Sequence, residues 1–341
     1  MISFWYTIVL VAAIIISQIS SHWIVVWIIL GLSSISMIPI ISRNTTPRAV
    51  EASVKYFIFQ ALASAILLGG ILVRYINIGT FGTEGIYTTV EGVFILLALV
   101  IKIGLFPAHF WFIDVVSGLQ FYQCFYVIVI SKLIPLIFII NISTEFLSNA
   151  YLIVGCSSVL IGSVLGTSQV QTRKIMAFSS VAHLGWIVII IPYTNYIVPL
   201  LLFSCYIVVI GLALEQCNNM SLYSIGNARK QSQSSEVLLF LISLISLGAF
   251  PPTIGFLYKW IMFIIIIKEG LFMVAAFLII MSVISLYFYL NLAFNIFSIY
   301  WPVNKSVVLS GVSNQNGLSI TIGLVIIFPL FFLGPITNYL W

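Results

Sequence analysis

The chain is built from apolar runs of about 18 to 25 residues that carry few or no charges. At a rise of about 1.5 Å per residue, each run as a helix crosses the roughly 30 Å of hydrocarbon in a bilayer. A transmembrane barrel would instead show alternating segments of about ten residues, and these runs do not alternate. An all-α, polytopic membrane protein is therefore expected. Of 341 residues, 62% are hydrophobic and 6% charged, whereas a soluble domain needs roughly a quarter of its residues charged to cover its surface.

Eleven spans are expected, approximately over 3–20, 22–41, 55–76, 91–112, 121–141, 150–166, 175–191, 197–216, 236–267, 271–297 and 318–336. They form one integral membrane domain over 1–341, with approximate repeats over 3–141 and 150–297 and a C-terminal helix over 318–336. The ninth is too long for one straight crossing. Pro251 and Pro252 remove two backbone donors near its middle, which predicts two half-helices joined by a break. Gly104-Leu105-Phe106-Pro107 in the fourth span returns as Gly248-Ala249-Phe250-Pro251 in the ninth. Five spans separate the copies, so they cross in opposite directions, the pattern of inverted repeats with interrupted helices around a conduction path.

The net charge of +5 is dispersed in short loops, which fits membrane orientation and not nucleic-acid binding. Arg43, Arg48, Lys55, Arg173, Lys174, Arg229, Lys230 and Lys305 fall on one side, and Glu84, Glu91, Glu145 and Glu269, with Arg74 and Lys268, on the other. An odd count of spans puts the N-terminus on the positive side (matrix or cytoplasmic) and the C-terminus opposite. The N-terminus runs into apolar sequence without a basic n-region and reads as a first span. Cys124, Cys156, Cys205 and Cys217 are single, with no Cys-x-x-Cys pair, so neither a disulfide framework nor a metal or iron–sulfur site is expected. No Gly-rich dinucleotide turn or haem-binding histidine pair occurs, and no cofactor is expected in this chain. The aromatic content of 15% fits interfacial belts and helix packing.

Three lysines lie inside apolar runs: Lys102, Lys132 and Lys259. A central charge in a transmembrane helix costs roughly 2.5 to 3.5 kcal/mol on insertion scales, so such residues mark function or pairing. Lys102 precedes Pro107, Lys132 precedes Pro135, and Lys259 follows Pro251-Pro252, where freed carbonyls and water can solvate an ammonium. Lysine suits proton transfer because burial brings its pKa toward neutrality and a neighbouring charge can then switch it. Structural ion pairing and snorkelling are the alternatives. His183, in mid-span, is a candidate link between lysines or hydrogen-bonded scaffolding. His22 and His109 read as interfacial or packing residues. Glu215, at a span end, and Glu51 are candidate proton uptake points, Glu215 alternatively a solvated terminus.

Several stretches carry a family resemblance: Ser21-His22-Trp23 with Trp27; Pro47 through Phe57; Lys102-Ile103-Gly104 with Pro107 through Trp111; Arg173 through Ala177, extending to Trp186; Leu247 through Pro252; Gly255-Phe256; and Lys259-Trp260. In this order over the whole chain they resemble the subunit 2 family of mitochondrial NADH:ubiquinone oxidoreductase, antiporter-like membrane subunits of respiratory complex I. The resemblance implies eleven helices with two inverted five-helix repeats, and a hydrophilic axis made by Lys102, Lys132 and Lys259 with His183 along it. It also implies a multi-pass protein of the mitochondrial inner membrane, matrix-side at its N-terminus, packed against lipids and other membrane-arm subunits. The resemblance further implies that the chain binds no small-molecule substrate directly and that NAD, FMN, iron–sulfur clusters and ubiquinone belong to partner chains. One departure stands out. Where the family places a mid-membrane glutamate, this chain has Gly31, so Lys102 lacks the carboxylate that would hold its charge, and Gly31→Glu is expected to alter pumping stoichiometry or Lys102 titration. A stand-alone cation/proton antiporter and a non-conducting structural subunit are the competing readings. Lys132→Met or Lys259→Met separates a conductor from a scaffold.

Overall fold

The computed structural model describes residues 2–43, 46–83, 85, 87, 89–142, 147–224 and 234–300, and is all-α. The one extended pairing among the described residues is an isolated antiparallel bridge between His22 and Gly82. The chain divides into two compact units, one of Met1–Ser158 with Val188–Leu200, the other of Val159–Ile187 with Leu201 onward.

The first unit contains α1 (Ile2–Ile19), α2 (Trp23–Ile41), α3 (Pro47–Ile78), α4 (Thr89–Ile103), α5 (His109–Gly118), α6 (Phe121–Phe125) and α7 (Ser131–Asn141), with a π-helical turn over Tyr126–Ile130. Helix α2 packs on α1 and α3, and α4 lies between α3 and α7. Local chemistry sets the ends of α3. Thr46 accepts from the Ala49 amide, Pro47 takes the first turn where its missing N–H costs nothing, and Gly79 closes the helix at φ 78°. The last carbonyls of α2 have no helical partner, and Gln123 Nε2 donates to both Ile40 and Ile41 at 3.2 and 3.0 Å.

The second unit holds α9 (Thr172–Ile190) up to Ile187, then α10 (Ile197–Asn219) from Leu201, α11 (Ser234–Leu247), α12 (Ile254–Lys268) and α13 (Phe272–Tyr300). Helix α8 (Ser148–Thr167) runs through the unit boundary at Ser158. Helices α11, α12 and α13 pack together. At Gly162 α8 approaches α9 closely: a Cβ there would meet the Ala182 amide nitrogen at 2.7 Å and the Phe178 carbonyl at 2.8 Å.

Among the described residues, seven stretches are long and apolar enough to cross a membrane: α2, α3, Phe121–Asn141, α8, Thr172–Tyr193, α10 and Phe272–Phe297 within α13. They coincide with the second, third, fifth to eighth and tenth expected spans. The eleventh, 318–336, lies outside the described residues, as do Glu84, Glu145, Arg229, Lys230 and Lys305.

The ninth span is broken as expected, into α11 and α12. The fourth corrects the expectation of one run over 91–112: it too is two helices, α4 and α5, parted at Gly104. Both breaks fall in the repeated tetrapeptides and have the same hydrogen-bond form. Gly104 is left-handed (φ 79°) and the next amide, Leu105, reaches back to Val100 O at 3.1 Å. Ala249 is left-handed (φ 62°) and the Phe250 amide reaches Ile245 O at 3.2 Å. These are six-to-one C-cap bonds that satisfy carbonyls a continuing helix would have used.

Candidate functional site

The break in the fourth span puts Lys102 in the last turn of α4, two residues before Gly104. Neighbouring groups pair with the backbone carbonyls and the amide left there. Gln60 Nε2 donates to Lys102 O at 3.1 Å, Trp111 Nε1 to Ile101 O at 3.1 Å, and the Phe106 amide to the Ser158 hydroxyl at 3.1 Å. The ammonium itself is buried, with no hydrogen-bond partner for Nζ among the described residues. It borders a cavity of about 10 Å³ lined by Ser33, Tyr56, Gln60, Ser131 and Pro135 among others, and no carboxylate lines it. That is room for about one water. Gly31 stands beside Leu30, which also lines the cavity, and a Cβ at Gly31 would meet nothing within 4 Å.

Lys132 lies two residues past the end of the π-helical turn, a helical irregularity that recurs at functional positions. Pro135 cannot donate to the carbonyl of Ser131, which loosens the same segment. Lys132 is fully buried, with Nζ 3.7 Å from the centroid of the Phe112 ring. Phe112 is also the side chain packed over Gly104, where a Cβ would meet it at 2.6 Å. Lys102 and Lys132 thus approach the same junction within the first unit. Neither has the geometry of a snorkelling stem, whose head stays in water.

Lys259 and His183 belong to the second unit. Lys259, on α12 just past the ninth-span break, is 7% exposed and within electrostatic reach of His183. His183 is buried on α9 in a cage of three tyrosines drawn from three other helices. The Tyr258 hydroxyl of α12 is 2.8 Å from Nδ1, the Tyr289 hydroxyl of α13 is 3.4 Å from Nε2, and the ring of Tyr206 of α10 lies 5.3 Å away. Both imidazole nitrogens therefore face a group that can donate or accept a proton.

The remaining sequence-selected residues stand apart from these clusters. Glu51 is exposed and paired with Lys55 at 2.9 Å, and Lys55 also reaches Asp114 at 3.3 Å. Glu215 is exposed near the end of α10. His109 is a packing residue, its ring 3.9 Å from that of Phe110, while His22 is exposed.

Sequence reasoning missed two features. Arg74 and Glu91, read as loop charges, are fully buried and paired at 3.3 Å. Asn77 donates to the same carboxylate at 3.3 Å, Arg74 Nε to Gly82 O at 3.1 Å, and the guanidinium lies 4.2 Å from the centroid of the Tyr87 ring. The tyrosine cage was the other. The adjacency of Tyr258 to Lys259 was its one available signal.

The family model described as "NADH:quinone oxidoreductase/Mrp antiporter, TM" matches residues 20–285. The protein named NADH-ubiquinone oxidoreductase chain 2 from Patiria pectinifera is 33% identical over 299 residues, covering 87% of this chain and 84% of that one. Its namesake from Pisaster ochraceus is 35% identical over 294 residues, covering 85% of this chain and 83% of the relative. Among solved structures, a chain of respiratory complex I from Thermus thermophilus superposes with TM-score 0.82 at 21% identity, over 92% of this chain and 74% of its own length. At that identity it speaks for the fold alone.

Proposed function

Because the chain belongs to the NADH:quinone oxidoreductase/Mrp antiporter family of transmembrane subunits, we propose that it is a proton-translocating membrane-arm subunit of an NADH:ubiquinone oxidoreductase. It works in the mitochondrial inner membrane, with its N-terminus on the matrix side and its C-terminus in the intermembrane space. The observation that carries the conduction reading is the burial of Lys102, Lys132 and Lys259 inside apolar helices, each beside a helix break or a π-helical turn. A lysine buried among apolar helices feels a change in nearby potential strongly, because little solvent screens it, and this is the response a relay needs. Quinone reduction in a partner chain supplies that change. This chain's residues hold and pass protons: Lys102 and Lys132 in the first unit, His183 and Lys259 in the second, with Glu51 and Glu215 as exposed uptake points. NAD, FMN, iron–sulfur clusters and ubiquinone sit in partner subunits, and lipid surrounds the outer helix faces.

The test is native electrophoresis followed by proton counting. The chain is expected to comigrate with a large assembly that oxidises NADH, and Lys132→Met or Lys259→Met to lower the protons moved per electron while the assembly persists. A chain that migrates alone overturns the assignment in favour of a stand-alone antiporter. An assembled Lys→Met complex with an unchanged proton-to-electron ratio leaves a structural subunit.

A further inference from the structure

Resting on that reading, we propose that Tyr258 is a positioning residue for proton transfer at His183, orienting the imidazole and giving Nδ1 a hydrogen-bond partner in either tautomer. The argument starts from the hydroxyl. Tyr258 O lies 2.8 Å from Nδ1, a full-strength hydrogen bond, whereas Tyr289 O at 3.4 Å from Nε2 is near the limit of one. The two phenols hold the ring at both nitrogens, and Tyr206 packs on it from a third helix. A neutral imidazole has one donor and one acceptor nitrogen, and the Tyr258 hydroxyl can partner Nδ1 in either role while holding the ring in place.

Tyr258 is also the sequence neighbour of Lys259, on the same helix just past the break in the ninth span. A movement of α12 that accompanies a change of charge at Lys259 therefore carries the Tyr258 hydroxyl with it. When the imidazole accepts a proton at one nitrogen and gives up the one held at the other, the ring returns to neutral. No heavy-atom bond forms or breaks, and the Tyr258 hydroxyl need only rotate between donating to Nδ1 and accepting from it. The groups facing His183 are Tyr206 from α10, Tyr258 and Lys259 from α12, and Tyr289 from α13. Cys205 lies near Tyr258, and Ser179 and Ser180 are on α9 itself.

The experiment uses the whole complex in sealed vesicles. Tyr258→Phe keeps the ring and removes the oxygen. Proton translocation is expected to slow by roughly five- to tenfold, the worth of one well-made hydrogen bond to the relay, and its pH profile to shift. Tyr289→Phe is expected to do less, because its bond is longer. Tyr258→His restores a donor and acceptor at the position and is expected to recover part of the rate with a different pH profile. Should Tyr258→Phe block assembly, the His variant decides the question: coupling with an unaltered pH profile overturns the proposal. A Tyr258→Phe complex with native rate and pH profile overturns it as well, provided Lys259→Met abolishes translocation. If Lys259→Met is also silent in an assembled complex, the functional reading itself has failed.

Discussion

Gly162→Ala tests whether His183 is held by the packing of α8 on α9. The added Cβ would stand 2.7 Å from the Ala182 nitrogen, 2.8 Å from the Phe178 carbonyl and 2.9 Å from the Ala182 Cβ. None of these is the far end of a flexible side chain, so the helices must separate. Ordinary contact begins at 3.4 Å, and closing the gap between 2.7 and 3.4 Å moves the Ala182 backbone by about 0.7 Å. Overpacking of this kind costs about 1 to 3 kcal/mol, and the intrinsic gain of alanine over glycine in a helix offsets about 1 kcal/mol of it. A net loss of roughly 0 to 2 kcal/mol is expected. The functional effect is larger than the stability effect, because Ala182 immediately precedes His183. A shift of several tenths of an ångström displaces the imidazole against hydroxyls now 2.8 Å from Nδ1 and 3.4 Å from Nε2. The assay is thermal inactivation of the detergent-solubilised complex together with protons moved per electron in proteoliposomes. Gly31→Ala, where a Cβ meets nothing within 4 Å, is the matched control and should leave stability level or slightly raised. If Gly162→Ala behaves like Gly31→Ala in both measurements, the close helix crossing and its link to His183 are refuted.

The two helix breaks make opposite predictions for the same pair of residues. Ala249→Gly relieves a left-handed alanine (φ 62°) and should stabilise by about 1 kcal/mol, read as a higher inactivation temperature. Gly104→Ala strains a left-handed position (φ 79°) and drives a Cβ to 2.6 Å from that of Phe112, so it should lower both stability and proton transfer near Lys132. For the buried pair, Arg74→Met or Glu91→Met alone leaves a buried charge and should destabilise by about 3 to 5 kcal/mol. The double variant should recover much of that loss, and a purely additive double-mutant cycle would contradict direct pairing.

The sequence by itself determined which segments are long and apolar enough to cross a membrane, because hydropathy and length are one-dimensional. The long runs of α2, α3, α10 and α13 are legible this way. So is the break before α12, where Pro251-Pro252 takes two donors out of the ladder. So are the three lysines, conspicuous because a charge inside such a run is costly. Pro107 was visible too, but the division of the fourth span needed Gly104 in a left-handed turn, with Gln60 and Trp111 supplied by other helices to take the freed carbonyls. Tertiary structure alone decided who meets whom. In an apolar medium helices do not sort themselves by a hydrophobic face, so contact is set by small residues such as Gly162 and by side chains that interlock across helices. That is why Arg74 and Glu91 read as loop charges in the sequence and fold into a buried pair. It is also why no periodic pattern announced that Tyr206, Tyr258 and Tyr289, from three helices, close around His183.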